Sequence, residues 1–417
     1  MEANVFQEIK QCRICGNKEL VPVLSLGTQS LTGVFPRNKT QQITAGPLEL
    51  VRCVGDQNSV CGLVQLKHSF NLGEMYGDNY GYRSGLNSSM VKHLHEKVHH
   101  IVDTVNLAKG DLIIDIGSND STLLQAYGDK GYLLVGVDPT GNKFKEYYPS
   151  YINLIPDFFS EKTVKRYVGD KKAKIVTSIA MFYDLESPID FVQQVYDILA
   201  NDGIWVLEQS YLPAMIEKNA YDTICHEHLE YYSLRQIKWM SDRVGFKIVD
   251  VEENNINGGS FSIVLAKSNS SYAEDETNIL KLFNREKHLQ EEKTYRKFKD
   301  RAFDHRTKLV EFINERNDNK ELILGYGAST KGNVILQFCN FTTKDISYIA
   351  EINQDKFGSF TPGTHIPIIS EKEAKKMKPD FFMVLPWHFK DNIVAREKEY
   401  LKSGGKLLFP LPAIEVI

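Results

Sequence analysis

Four of the six cysteines fall within the first 61 residues, as Cys12-Arg13-Ile14-Cys15-Gly16 followed by Cys53 and Cys61. Cys-x-x-Cys-Gly on a tight turn aims two thiolates at one ion, and the glycine tolerates the backbone conformation behind them. The second pair is wider, with VGDQNSV between the two cysteines reading as a loop. The set predicts one four-thiolate zinc site. The other reading is four buried free thiols. Such a zinc site is structural, because four thiolates leave no coordination position open for chemistry. A domain of about residues 1–72 has little core, so much of its folding free energy would come from the metal. Six cysteines are too few for a disulfide scaffold, and Cys225 and Cys339 stand alone.

The rest of the chain is long enough for two further domains. From about residue 86 to 270, apolar strands alternate with amphipathic helices: KGDLIIDIGSND, YLLVGVDP, KIVTSIAMFYDL and IWVLEQSYL are strands, and PIDFVQQVYDILANDG is a helix ending at Gly203. Continuous apolar strands between helices predict a mostly parallel, doubly wound sheet covered on both faces. Residues 276–317, dense in Lys, Glu and Arg, read as a solvated helical strut. ELILGYGASTKGNVILQFC then opens a second, smaller Rossmann-like unit. Lys+Arg is 50 and Asp+Glu 54, a net charge of -4, which argues against a nucleic-acid binder. No apolar run approaches the roughly 20 residues of a membrane helix, and MEANVFQEIKQCRICG is too polar for a signal peptide. A cytoplasmic protein without nucleic-acid or membrane partners is expected, as monomer or homodimer.

Asp115-Ile116-Gly117-Ser118-Asn119-Asp120 closes the first strand of the central sheet, and Asp138 closes the second. Ligands of such sheets sit past the carboxyl ends of the strands. A glycine there lets backbone approach the ligand, and an acid after the second strand accepts ribose hydroxyls. The loop is not Gly-x-Gly-x-x-Gly. One glycine among acids suits the sulfonium and amino acid end of S-adenosylmethionine (SAM) better than a pyrophosphate, which needs a nest of amides. Gly117, Asn119, Asp120 and Asp138 are the expected cofactor contacts, with Phe158 beside the adenine. Cys225-His226-Glu227-His228 lacks the His-Glu-x-x-His spacing of zinc hydrolases and reads as an acid–base pair at the pocket mouth. Tyr80 and Tyr82, in NYGYRSG, read as phenols of a lid over the substrate.

With these motifs in view, the chain resembles the three-domain sugar C-methyltransferases that act on nucleotide-linked keto-deoxysugars. The resemblance spans nearly the whole length, through CRICG, CGLVQL, NYGYRSG, IDIGSNDSTLL, the HEH segment, NGGSFSIVLA, GYGASTKGN and FTPGTHIPI in this order. It implies an α/β architecture of a zinc-binding domain (1–72), a class I SAM methyltransferase domain with a lid (73–275) and a strut plus C-terminal Rossmann-like domain (276–417). It implies methyl transfer to a ring carbon, typically C3 beside a 4-keto group, of a sugar on a nucleoside diphosphate. It implies His228 as base, Glu227 beside it to orient or share the proton, and Tyr82 near the keto group with Tyr80 as second choice. Cys225, Asn257 and Lys331 are implied on the substrate side, Lys331 toward the diphosphate. The chain departs from the family at Cys225, where tyrosine is common, at Phe182 and Tyr183, where a histidine is common nearby, and at Ser121, where the motif usually ends in glycine.

Three other functions compete: a nicotinamide-dependent oxidoreductase or epimerase using the C-terminal unit, a zinc-ribbon binding module with a degenerate enzyme domain, and a sugar O-methyltransferase. Copurified cofactor separates the first. Intact Gly117, Asp120, Asp138 and Glu227-His228, with the acidic balance, argue against the second.

Overall fold

The computed structural model describes residues 6–56, 59–76 and 82–417. Its strands, numbered β1 to β19 in chain order, form four sheets. β1 (Phe6–Glu8) and β5 (His68–Phe70) make an antiparallel pair. β2 (Leu20–Ser30), β3 (Ala45–Cys53) and β4 (Val64–Leu66) form an antiparallel meander, completed by β11 (Glu230–Tyr231) in the order β11-β4-β3-β2. The last strand is lent by the middle of the chain.

The central sheet has the order β12-β13-β10-β9-β6-β7-β8. β6 (Leu112–Ile116), β7 (Leu133–Val137), β8 (Ile152–Ile155), β9 (Ala173–Ile179) and β10 (Leu199–Ser210) run parallel, and β13 (Ser260–Lys267) returns antiparallel between β10 and β12 (Phe246–Asn254). β6 is buried throughout and β9 nearly so, as expected of strands covered on both faces. The order reverses at β6, so the crevice for a ligand opens past the carboxyl ends of β6 and its neighbours.

The third sheet unit contains β14 (Ile323–Tyr326), β15 (Ile349–Glu351), β16 (Ile368–Ser370), β17 (Phe381–Val384) and β18 (Lys406–Phe409), parallel in the order β16-β15-β14-β17-β18, with β19 (Glu415–Val416) antiparallel at the edge. The charged stretch before it is two helices, Glu276–Glu286 and Glu292–Asp318. The longer one is more than a solvated strut. Tyr295, Phe298, Ala302, His305, Leu309 and Ile313 recur every three or four residues and are buried as a stripe. Most of them join the core of the C-terminal unit. Among the described residues, no helix is long and apolar enough to cross a membrane.

Candidate active site

The sulfur cluster forms from local turns. The Gly16 amide bonds the Cys12 carbonyl at 2.9 Å with Gly16 at φ +70°, which curls the Cys12–Cys15 knuckle. Cys53 ends β3 and its amide bonds the Leu63 carbonyl at 2.8 Å, bringing Cys61 alongside. The ligand atoms of Cys12, Cys15, Cys53 and Cys61 all lie within 4.8 Å of one another. The Cys12–Cys61 and Cys15–Cys53 sulfurs are 3.4 and 3.6 Å apart. A tetrahedron with Zn–S bonds of about 2.3 Å has edges of about 3.8 Å, so the four thiolates fit zinc.

The metal knuckle also carries a lever. Arg13, between the first two cysteines, donates to the Leu66 carbonyl (2.6 Å) and Ser69 hydroxyl (2.9 Å), and its Nε faces Glu186 (3.3 Å) and buried Glu230 (3.7 Å). Glu230 belongs to β11, which pairs with β4 directly after Cys61, and the Leu66 amide bonds the Leu229 carbonyl at 2.8 Å. The His226-Glu227-His228 segment is thus tethered to the zinc-domain sheet.

The three units enclose one cavity of about 900 Å³. At its central-domain end, β6 stops at a turn through Gly117. Gly117 sits at φ +77°, and a Cβ there would lie 2.9 Å from the Met181 side chain, so only glycine fits. The Asn119 amide donates to Asp138 Oδ2 (2.8 Å), and the Thr140 amide and hydroxyl donate to Oδ1 (2.7 and 2.5 Å). This holds a buried carboxylate at the end of β7 with further lone pairs on the cavity side. Asp115 lines the same end, and burial pushes its carboxyl up to about 7. Phe158 is on the wall, 49% exposed, while Phe159 packs on the Phe191 ring at 4.9 Å. Acids, a glycine turn and an exposed aromatic fit the cationic, adenine-bearing SAM. Ser121 stands at φ 63°, where the family glycine is at ease, and its hydroxyl donates to the Tyr147 carbonyl (3.0 Å).

His228 and Glu227 face the middle of the cavity. His228 Nδ1 is 2.9 Å from the Thr223 carbonyl. A carbonyl only accepts, so Nδ1 carries the hydrogen and Nε2 keeps its lone pair. Burial, with help from the Lys331 charge, pushes the His228 pKa down to about 3, so the ring is neutral at pH 7. Tyr183 packs against it at 4.2 Å. Glu227 is pressed under the 32–33 turn. Thr32 donates to its Oε2 (3.3 Å), and a Cβ on Gly33 would fall 2.3 Å from Oε1. Burial raises the Glu227 pKa. His226 points the other way, edge-on to Phe70 at 4.6 Å in the zinc-domain packing. The turn at 226–227, closed by the His228 amide donating to the Cys225 carbonyl (3.2 Å), sends one histidine to each side.

At the C-terminal end, β14 stops at Gly327 (φ +83°) and Ser329 caps the helix Thr330–Phe338 by accepting from the Gly332 amide (3.0 Å). Lys331, in the first turn, donates to the Asn257 carbonyl (2.7 Å), and burial lowers its pKa. Lys356 donates to the Ala328 carbonyl (2.8 Å). Glu351 ends β15, where a dinucleotide-binding unit keeps its ribose acid. Here its oxygens accept from the Ala328, Ile352 and Asn353 amides at 2.7–2.8 Å, so the carboxylate holds its own loop together.

Comparison with known proteins follows the same three parts. Residues 12–76 match a zinc binding domain family, residues 90–251 a methyltransferase domain family, and residues 255–412 the C-methyltransferase C-terminal domain family. C-methyltransferase NovU of Streptomyces niveus is 28% identical over 99% of this chain and 98% of its own length. The chain carries a zinc binding domain, a methyltransferase domain and a C-methyltransferase C-terminal domain in this order. This C-methyltransferase uses SAM and carries a structural zinc site. Solved structures similar over 42% of it include the CcbJ methyltransferase from Streptomyces caelestis (13% identity, 89% of that chain, TM-score 0.33) and an S-adenosylmethionine-dependent methyltransferase from Clostridium acetobutylicum (12%, 92%, 0.34).

Two residues expected at the ligands lie elsewhere in this C-methyltransferase. Asp120 is not on the cavity wall. Past the Asn119 turn it aims at the 83–85 segment, accepting from the Gly85 amide (2.9 Å) and the Thr122 hydroxyl (2.5 Å) and facing Arg83 (3.7 Å). It ties the 83–85 segment to the loop after β6. Cys225 is fully buried among apolar side chains such as Tyr221 and Ile224, behind Glu227 and off the cavity. Tyr82 and Asn257 line the cavity, Tyr82 at its rim with 49% exposure. Tyr80 lies outside the described residues. Sequence reading missed Asp115, Asp184, Glu208 and Gln209, all on the wall. Asp184 accepts from the Tyr76 hydroxyl (2.8 Å), and Glu208 is held by His93 (2.6 Å) and Lys97 (2.8 Å). Glu208-Gln209 was legible only as two polar residues ending an apolar strand.

Proposed function

We propose that this enzyme methylates a ring carbon alpha to the keto group of a nucleoside-diphosphate-linked deoxysugar, C3 of a 4-keto-6-deoxyhexose. The observation that carries the reading is a neutral histidine with a bare Nε2 in a cavity shared by an acidic crevice and a lysine-bearing one. A C–H beside a ketone is too weakly acidic to ionise in neutral water. It needs a positioned base and a donor at the ketone oxygen.

His228 Nε2 takes the proton, and the Thr223 carbonyl fixes the tautomer that leaves Nε2 free. Glu227, held by Thr32, sits beside it to share or relay that proton. Tyr82, from the rim, reaches the keto or hydroxyl groups, with Tyr80 as second choice. Gly117, Asn119, Asp138 and Phe158 hold SAM, which supplies an electrophilic methyl group on sulfonium. Lys331, on a capped helix N-terminus where anions are favoured, takes the diphosphate, with Asn257 beside it. Orienting the two reactants supplies several kcal/mol of the rate enhancement. The eight ordered motifs support the sugar nucleotide as acceptor, and the likeness to C-methyltransferase NovU supports carbon as the methylated atom.

The test is incubation with SAM and a panel of nucleoside-diphosphate 4-keto-6-deoxysugars, reading product masses. A gain of one methylene on one donor, lost in His228→Ala, is expected. Full activity in His228→Ala removes the base assignment. Methylation of a substrate lacking a ketone removes the enolate route.

A further inference from the structure

The Thr223 carbonyl, which fixes the tautomer of His228, ends the single turn Tyr221–Thr223. That turn lies in sequence within the methyltransferase domain, yet its side chains are gripped by the strut and the C-terminal unit. The Trp387 indole N–H donates to Asp222 Oδ2 at 2.7 Å. The Tyr221 hydroxyl and His305 Nδ1 are 3.0 Å apart, and the Tyr221 ring lies 5.2 Å from that of Phe338. Asp222 is fully buried and Trp387 nearly so. A buried carboxylate is costly unless something engages it, and an indole offers a single donor in a single direction. The pair is therefore a directional link between two units.

Trp387 stands directly behind the lysine-bearing crevice. Its neighbours Pro386 and His388 line the cavity. A Cβ on Gly327, the turn that closes β14, would fall 2.7 Å from Pro386, so the crevice loop rests on the residue before the tryptophan. A Cβ on Gly258 would lie 3.3 Å from the Trp387 ring, and the Asn257 carbonyl beside it receives Lys331 at 2.7 Å. One line of contacts thus runs from the crevice wall through Pro386, Trp387, Asp222 and the Thr223 carbonyl to His228. Its two hydrogen bonds are 2.7 and 2.9 Å long.

We propose that Asp222 and Trp387 are positioning residues, through which a nucleoside diphosphate seated in the C-terminal crevice holds His228 in the geometry for proton abstraction. The inference rests on the keto-sugar reading above and deepens it, by giving the non-reacting half of the acceptor a part in the chemistry. Binding energy from a remote part of a substrate speeds a reaction when it is used to orient the reacting groups. A ligand against Pro386 and His388 restrains the loop of Trp387. The indole carries that restraint to the turn that presents the Thr223 carbonyl. His228 Nε2 then takes the C–H proton, the electron pair passes into the enolate, and the imidazolium exchanges the proton with water.

The experiment cuts the acceptor at its glycosidic bond. Deuterium uptake at the C–H beside the ketone is followed in heavy water, with S-adenosylhomocysteine in place of SAM. The substrates are the intact nucleotide sugar and the free 4-keto-6-deoxyhexose, the latter with and without added nucleoside diphosphate. Wild type is compared with Asp222→Asn, which keeps an oxygen for the indole. It is also compared with the double variant Asp222→Leu/Trp387→Phe, which replaces both polar partners by apolar groups of similar shape and so spares the fold. In wild type, the diphosphate should raise exchange of the free sugar by at least about ten-fold. Asp222→Asn should retain that gain. The double variant should melt within about 4 °C of wild type and bind the diphosphate within about three-fold, yet lose the gain. Its kcat on the intact substrate should fall by about 10–10²-fold, the scale of a misplaced reacting group, with KM little changed. Activation that survives in the double variant overturns the proposal, as does a wild type that gains nothing from the diphosphate. A double variant slowed as much on the free sugar alone also overturns it, because the pair would then only support the fold. If wild type exchanges no hydrogen on any intact keto sugar, the substrate reading itself falls and the proposal with it.

Discussion

The two Rossmann-like crevices of this protein are built alike and charged unlike. In each, the first strand stops at a left-handed glycine, Gly117 or Gly327. In each, an acid at or just past the end of the second strand accepts an amide from the first loop at 2.8 Å, Asn119 to Asp138 and Ala328 to Glu351. The difference lies in what surrounds that frame. Asp115 joins Asp138 in the central crevice, whereas Lys331 and Lys356 flank the C-terminal loop. Two copies of one loop plan thus carry opposite charge, which fits the sulfonium of SAM at one end and, on the function proposed above, an anionic sugar nucleotide at the other. The zinc-tethered segment carrying His228 lies between them.

The largest effect should appear where the crevices meet. His228→Ala should reduce methyl transfer by at least about 10³-fold, toward the upper range for a general base, with S-adenosylhomocysteine affinity unchanged by calorimetry. An equal loss of cofactor affinity would tie His228 to the central crevice instead.

Zinc removal should come next. Chelation, or Cys61→Ser, loosens the β4–β11 tether and the Gln236 bond to the Cys61 carbonyl (2.8 Å). Melting temperature and activity should fall together, while cofactor affinity should change far less, because Asp138 and Gly117 do not depend on β11. Activity retained without zinc would show that the tether is dispensable.

A third effect concerns pH. Burial pushes His226 down to about 4 and His228 to about 3, against an ordinary value near 6.5. The unfolded chain therefore binds these protons first as pH falls. Their contribution to stability is fully present above about pH 6.5 and is lost as pH drops toward 4 and then 3. Asp115 and Glu227, with raised pKa values, work in the opposite direction. The readout is thus the difference between wild type and His226→Gln in urea midpoint. The difference should shift progressively between pH 6.5 and 4, and a constant difference would contradict the burial argument.

The smallest effect should be Ser329→Ala. It removes one helix cap beside Lys331 and should cost about 1 kcal/mol of stability with little change in cofactor binding, measured by urea unfolding.

Features set by neighbours in sequence were legible from the chain. The Cys-x-x-Cys-Gly knuckle, the apolar strands, the Gly117 turn and Asp138 each announce themselves within a few residues. Features set by distant pairing were not. Nothing local says that Glu230–Tyr231 will complete a sheet begun at Leu20, or that Thr32 will press on Glu227. The charged helix Glu292–Asp318 hid its apolar stripe because lysines and glutamates outnumber the six buried positions. Asp120 looked like a cofactor ligand because its motif is right, yet the left-handed Asn119 turns it toward Gly85. Cys225 looked like a pocket residue because its neighbours in sequence are, and its own side chain turns into the core.

A binding matrix tests the division of the two crevices by charge most directly. Asp138→Asn and Lys331→Met would each be titrated by calorimetry with S-adenosylhomocysteine and with a nucleoside diphosphate. Asp138→Asn should weaken the first ligand by at least about ten-fold, roughly 1.4 kcal/mol, and leave the second alone. Lys331→Met should do the reverse. If Lys331→Met weakens S-adenosylhomocysteine, or leaves nucleoside diphosphate binding intact, the division of the two crevices by charge is contradicted.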